Sequence, residues 1–151
     1  MSKKELATGC FNEGMLCSQA VLAAFKDECG ITEEQALKLG SCFGTGMCKG
    51  EVCGACTGAL IALSLMYGHT TKGDMNVRQR TNMLTKMMLD RFKEANGSYI
   101  CNDLLGYDVS TPDGLNAAKE SGLFKEFCPL KVGSAAEILE EIVRSKEEWD
   151  V

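Results

Sequence analysis

The chain has 151 residues, 45% of them hydrophobic, with 16 Lys or Arg against 21 Asp or Glu and a formal net charge of −5. That length and apolar content suffice for one compact domain, and an acidic chain lacks the basic face that nucleic-acid binding uses. No apolar run reaches the ~18–20 residues that span a bilayer, so neither nucleic acid nor membrane is an expected partner.

Pro is rare (2 residues), while Ala, Leu, Met, Lys and Glu are common. This composition predicts an all-α chain, a single multi-helix domain over residues 1–151. The start, MSKKELATGCF, carries two lysines with no apolar stretch behind them. It does not read as a signal peptide, and a cytoplasmic location is expected. In that reducing compartment the nine cysteines are buried hydrophobes, metal ligands or redox thiols, not a disulfide framework. Residues 101–151 hold five Lys or Arg against eleven Asp or Glu, which reads as a solvated helix surface.

In chain order, residues 2–13 read as a short helix ending near Gly14. Met15 to about Cys29 has helical spacing, with Cys17, Val21, Ala24 and Glu28 on one stripe, so Cys17 falls in a first turn facing inward. Gly30 stops that helix, and Thr32 with Gln35 forms a capping box for another through Leu39. Gly40–Val52 is a glycine-rich loop. Cys53–Tyr67 is an apolar helix in which Gly54 and Gly58 admit a close neighbour. After a connector at Gly68–Gly73, Asp74 caps a long helix to about Asn96, with Val77, Leu84, Met88 and Phe92 on one side. Met83, Met87 and Met88 read as core filling. Cys101 opens a short helical turn, and Thr111-Pro112-Asp113-Gly114 reads as a turn. Leu115–Phe127 reads as irregular or briefly helical, with Cys128-Pro129 closing it. Ser134 and Glu137 make a capping box for the last helix. No strand and no repeat is expected.

The chain is organised around CFGTGMCKGEVCGACTG, Cys42 to Gly58, which holds Cys42, Cys48, Cys53 and Cys56 among five glycines. A loop running into a helix leaves free N–H groups and the positive dipole end beside the junction residue, here Cys53. Such a place favours the thiolate, the form that attacks disulfides and binds metals. Cys53-Gly-Ala-Cys56 is the C-x-x-C of dithiol oxidoreductases, without the βαβ context of thioredoxin. A zinc ribbon needs two such knuckles and only one is present, while His69, the sole histidine, reads as an exposed loop residue. Ferredoxin spacing is absent, which leaves a cluster held by dispersed cysteines open.

These residues resemble the C_GCAxxG_C_C family of redox-active proteins, small chains with four signature cysteines and a CGAxxG motif. The motif stands here as Cys53-Gly54-Ala55-Cys56-Thr57-Gly58. The upstream signature cysteine matches Cys17, in CSQAVLAAF; the downstream two match Cys101 and Cys128. FGTGMCKGE is similar to the family's FGGGM-type loop. The family is in turn similar to the N-terminal region of split-Soret cytochromes, where cysteines hold an iron–sulfur centre. No C-x-x-C-H stands in this chain, so the haem does not carry over. Cys56, Cys10, Cys29, Cys42 and Cys48 are additions to the family pattern.

The resemblance implies that Cys17, Cys53, Cys101 and Cys128 converge at the N-terminal end of the 53–67 helix. There they would bind an iron–sulfur cluster or another thiolate-loving metal, for electron transfer or redox sensing with a partner protein. Backbone N–H groups at Gly54 and its neighbours, with Gly58 completing the motif, would offset the cluster's charge. Zinc or no metal is the expectation for protein isolated in air. Two alternatives stay open: a thiol–disulfide oxidoreductase using Cys53 and Cys56, and a helical binding module whose cysteines only pack. A homo-oligomer also stays open.

Overall fold

Ser2 accepts a hydrogen bond from the Glu5 N–H and so starts α1 (Lys3–Asn12) in the computed structural model, which describes residues 1–150. α2 (Cys17–Ala24) follows, then α3 (Lys26–Cys29) and α4 (Glu33–Gly40). The capping box of Thr32 and Gln35 forms as expected, and Gly30 ends α3 at φ 67°. The single helix expected over Met15–Cys29 is divided at Phe25, whose N–H tightens onto the Leu22 carbonyl while its ring is buried. The glycine-rich loop contains a left-handed turn: Thr45, Gly46, Met47 and Cys48 take φ of 55°, 59°, 59° and 60°. α5 (Gly54–Tyr67) then carries the apolar run, and Asp74 caps α6 (Met75–Asn96), which Gly97 ends at φ 90°.

α7 (Cys101–Leu105), α8 (Pro112–Glu120), α9 (Leu123–Glu126), α10 (Cys128–Arg144) and α11 (Lys146–Trp149) complete the chain. Among the described residues there is no strand, only one antiparallel bridge between Val52 and Ile100. The architecture is all-α, as the composition predicts. None of the described helices is long and apolar enough to cross a membrane.

Two expectations are corrected in the last third. Thr111-Pro-Asp-Gly is a helix start, not a free turn: the Thr111 hydroxyl caps the Gly114 N–H and Pro112 opens α8. Likewise Cys128-Pro129 opens α10 instead of closing the element before it, so the helix begins six residues ahead of Ser134. Pro is tolerated in a first turn because its missing N–H would have no helical acceptor there. Ser134, inside the helix, instead accepts from the Asn96 amide.

α2 packs on α1, α4 and α5, and α10 packs on α1, α2, α5 and α6. The main core includes Val21, Leu22 and Phe25 of α2 and its end, Leu63 of α5, Leu84, Met88 and Phe92 of α6, and Leu139 and Ile142 of α10. Met88 is fully buried core, with Met83 and Met87 packed against it. A second, smaller apolar cluster gathers Cys101, Leu105, Val109 and Ala118, with Phe124, Phe127 and Cys128 against it. At the C-terminus Trp149 meets the Tyr67 ring edge-on at 5.1 Å and donates to the Ile142 carbonyl.

Glycine sets the distance between α2 and α5. A side-chain carbon at Gly58 would collide with the Ser18 carbonyl and lie 3.0 Å from its Cα. Ser18 itself is fully buried and donates to the Gly40 carbonyl at 2.7 Å, so it has little room to yield. Gly58→Ala is therefore expected to lower the unfolding free energy by about 1–3 kcal/mol in urea titration. Gly9→Ala, inside α1 with open space around it, should raise it by about 0.5–1 kcal/mol. Equal stability of the two variants would contradict the close packing of α2 on α5.

Candidate functional site

The short antiparallel bridge brings two of the four signature cysteines together. The Cys53 N–H donates to the Tyr99 carbonyl at 2.8 Å, and the Cys101 N–H donates to the Glu51 carbonyl at 2.6 Å. Residues 51 and 53 lie on one face of their strand-like segment, as do 99 and 101 on theirs, so Cys53 and Cys101 become diagonal neighbours. The left-handed turn completes this corner. Gly46 lies so close to Cys101 that an added Cβ would stand 2.9 Å from the Cys101 Cβ.

Cys17 enters from α2, and Gly54 is what admits it. A Cβ at residue 54 would overlap the Cys17 sulfur and stand 2.9 Å from the Phe43 carbonyl oxygen. Cys128 comes from the first turn of α10. Each of the four cysteines thus stands at the start of a helix: Cys17, Cys101 and Cys128 as first residues, Cys53 as the N-cap of α5.

All four line one cavity of about 70 Å³, together with Leu16, Thr45, Ala55, Leu104, Phe124, Phe127, Lys131 and Val132. By composition the wall is apolar apart from the thiols, the backbone, Thr45 and one lysine. The cavity lies at the seam between the two apolar clusters, with Cys17 and Cys53 on the main core and Cys101 and Cys128 on the smaller one. Among the described residues no three His, Cys, Asp or Glu side chains are close enough to hold a single metal ion. The thiols ring a hollow and do not meet at a point.

Burial pushes three of these thiols up: Cys17 to about 11, and Cys101 and Cys128 to about 12, with neighbouring thiols adding to the rise in each. Cys53 is the exception. Its pKa is lowered, first by a hydrogen bond from the Cys56 thiol and then by the N–H groups of Ala55 and Cys56 and the charge of Lys131. The Cys56 thiol, giving that bond from the buried side, is pushed far up. The pair therefore favours the charge on Cys53 and the proton on Cys56, chiefly through that S–H bond, with the N–H groups of the first turn of α5 adding to it.

The remaining cysteines are elsewhere. Cys56 is fully buried behind Cys53, and Gly58 serves the α2 contact away from the cavity. Cys42 and Cys48 are exposed, while Cys10 and Cys29 are half-buried. His69 is exposed in the connector, as expected. Two contributors were not anticipated. The backbone N–H of Thr45 bonds the Cys17 sulfur, which depends on a left-handed turn that the sequence pattern did not reveal. Lys131, three residues after Cys128, faces the cavity because both belong to α10. That spacing would have been a readable signal with the helix start placed at Cys128.

The fold and the site define a helical protein that gathers four thiols around one hollow. It belongs to the C_GCAxxG_C_C family: the model described as "Putative redox-active protein (C_GCAxxG_C_C)" matches residues 15–142, a span that includes all four cavity cysteines. No curated protein and no solved structure matches the chain.

The direction of the thiol shifts fixes a pH dependence of stability. In the reduced chain, Cys17, Cys29, Cys101 and Cys128 ionise from about 9.0 when unfolded but only near 11 to 12 when folded. From about pH 9 to 11 the unfolded chain has lost protons that the folded chain keeps, so stability falls as pH rises. Cys53 has the opposite sign, its contribution being lost as pH falls through its lowered value. The urea midpoint of the reduced protein should drop steadily across pH 9–11. A midpoint that holds level or rises there would contradict the buried, protonated state of these thiols.

Proposed function

We propose that Cys17, Cys53, Cys101 and Cys128 hold an iron–sulfur cluster and that the protein passes electrons to, or senses the redox state of, a partner protein. The observation carrying this reading is the set of four thiols around a single apolar cavity. A close-packed interior does not ordinarily leave such a hollow, and its walls offer water few partners. Donors spread around a hollow, without a shared point, suit a polynuclear centre better than one ion, and four thiolates complete the ligand set of a [2Fe–2S] or [4Fe–4S] centre. When bound, such a centre supplies one-electron transfer.

The chain's own groups do the rest. The starts of α2, α5 and α10 direct free N–H groups and positive dipole ends toward the thiols, which offsets negative charge in a place of low dielectric. Cys56 donates its S–H to Cys53, and Thr45 its N–H to Cys17. Leu16, Leu104, Phe124 and Phe127 restrict water. Gly54 keeps Cys17 within reach.

A second reading rests on the hydrogen bond between Cys56 and Cys53. In it the Cys53 thiolate attacks a substrate disulfide, forming a mixed disulfide and releasing one thiolate. The Cys56 thiol, losing its proton, then attacks the Cys53 sulfur and releases the second thiolate. Two electrons pass to the substrate and a Cys53–Cys56 disulfide remains.

Anaerobic purification, or reconstitution with iron and sulfide, followed by visible absorption and iron and sulfide assay, separates the two readings. The cluster reading expects charge-transfer absorption with stoichiometric iron and sulfide. It expects Cys17→Ser, Cys53→Ser, Cys101→Ser and Cys128→Ser each to reduce cluster content severalfold, and Cys42→Ser and Cys48→Ser to leave it unchanged. A protein that stays colourless after reconstitution, yet reduces a disulfide substrate only when Cys53 is present, would replace it with the dithiol reading.

A further inference from the structure

One charged side chain lies on the wall of the thiol cavity, that of Lys131. It is not a free surface lysine. Its ammonium donates to Asn96 Oδ1 at 3.0 Å and stands 4.6 Å from the centre of the Phe127 ring. Asn96 is itself fixed, its amide donating to the Phe92 carbonyl and to the Ser134 hydroxyl, each at 3.0 Å. α6 therefore supplies a clamp and α10 supplies the charge. Phe127, Leu104 and Lys131 also form the partition between this cavity and an outer polar cleft that contains Lys93 and Asp103. Lys93 and Asp103 are exposed and screened by solvent, and neither lines the cavity. Lys131 alone of the three belongs to both walls: its side chain lines the thiol cavity, and its ammonium is held at the partition by Asn96 on the cleft side.

We propose that Lys131 is a positioning residue of the thiol site: clamped by Asn96 and Phe127, it sets the charge balance of the cavity and so the potential at which the site exchanges electrons. The proposal rests on the reading of the four cysteines as a redox site, but not on which of the two chemistries operates there. A fixed positive charge favours the form of the centre with the extra electron, and it also favours thiolate over thiol. Its fields on Cys53 and on Cys128 both act in that direction.

Lys131→Met keeps the length and removes the charge; Lys131→Arg keeps the charge; Asn96→Leu keeps the lysine and removes its clamp. Two readouts are made on the full chain. The first is a spectroscopic redox titration of the iron- and sulfide-reconstituted protein. Lys131→Met is expected to move the midpoint to a lower potential, Lys131→Arg to stay close to the parent, and Asn96→Leu to fall between. The second is iodoacetamide labelling of the reduced chain at pH 7 without added iron, resolved by peptide mapping. Lys131→Met should label Cys53 roughly three- to tenfold more slowly, with Lys131→Arg restoring the rate. An unchanged midpoint in a reconstituted Lys131→Met protein overturns the role of Lys131 while leaving the cluster reading in place. If no variant, parent included, takes up a cluster, the cluster reading fails. The labelling rates then decide on Lys131: equal rates for the parent and Lys131→Met overturn its role, and the expected loss with rescue by Lys131→Arg upholds it. A Lys131→Met protein that alone fails to fold leaves Asn96→Leu as the deciding variant, whose parent-like midpoint and labelling rate would equally overturn it.

Discussion

The structure depends on how negative charge is accommodated in an apolar cavity. Four thiols at the seam of two apolar clusters are expensive to ionise, and the raised values of Cys17, Cys101 and Cys128 express that cost. What opposes it is the Cys56 S–H bond to Cys53, then backbone N–H groups at helix starts and in the left-handed turn, and one lysine. Placing each cysteine at the beginning of a helix solves two problems at once. It supplies N–H groups that the helix itself cannot satisfy, and it aligns the dipoles so that their positive ends face the sulfurs. α7 is a single short turn, and Cys101 is correspondingly held by its backbone bond to Glu51 more than by a dipole.

Close approach is the second requirement, and it explains why the motif is built from glycine and alanine. Gly54 leaves room for the Cys17 sulfur, and Gly58 leaves room for the Ser18 backbone one turn along, so two neighbouring residues of α2 meet two glycines of α5. The same economy of space holds at the left-handed turn. Thr45, Met47 and Cys48 accept a conformation that disfavours side chains by about 1–2 kcal/mol per residue. The turn sets Gly46 against Cys101 and aims the Thr45 N–H at Cys17. Strain here is coupled to the site it shapes, as is common where backbone geometry positions a functional group.

Much of this was legible in the sequence. Helical period, the Thr32–Gln35 capping box and the Asp74 cap were readable because each depends on neighbours along the chain. So was the privileged place of Cys53, since a glycine-rich loop entering an apolar run marks a helix start wherever it occurs. The roles of Gly54 and Gly58 were readable only as small residues at helical spacing; which atoms they admit is a long-range fact. The left-handed turn was not readable, because three of its residues carry side chains that give no local reason for positive φ. The start of α10 was misplaced for a local reason. Pro129 suits a first turn as well as a break, and Ser134 with Glu137 imitates a capping box inside the helix. That error hid Lys131, which becomes a companion of Cys128 only when both are on one helix.

The cluster and dithiol readings share more than they dispute. Both require the negative charge to reside on Cys53, and in both Cys56 serves as a proton-bearing donor to it. They diverge over what Cys56 does next. With Cys53 ligated, the S–H bond from Cys56 would tune the ligand sulfur, and the buried position of Cys56 protects that proton from exchange. With Cys53 free, the same proton must leave before Cys56 can attack, and nothing basic lines the buried side to take it except Cys53 itself. Cys56 has core on every side, with no exposed surface. A resolving thiol is usually reached by its target through a small movement, whereas a tuning donor is best kept still. The full burial of Cys56 therefore suits a fixed donor to Cys53, as the proposed ligation requires, better than a resolving thiol.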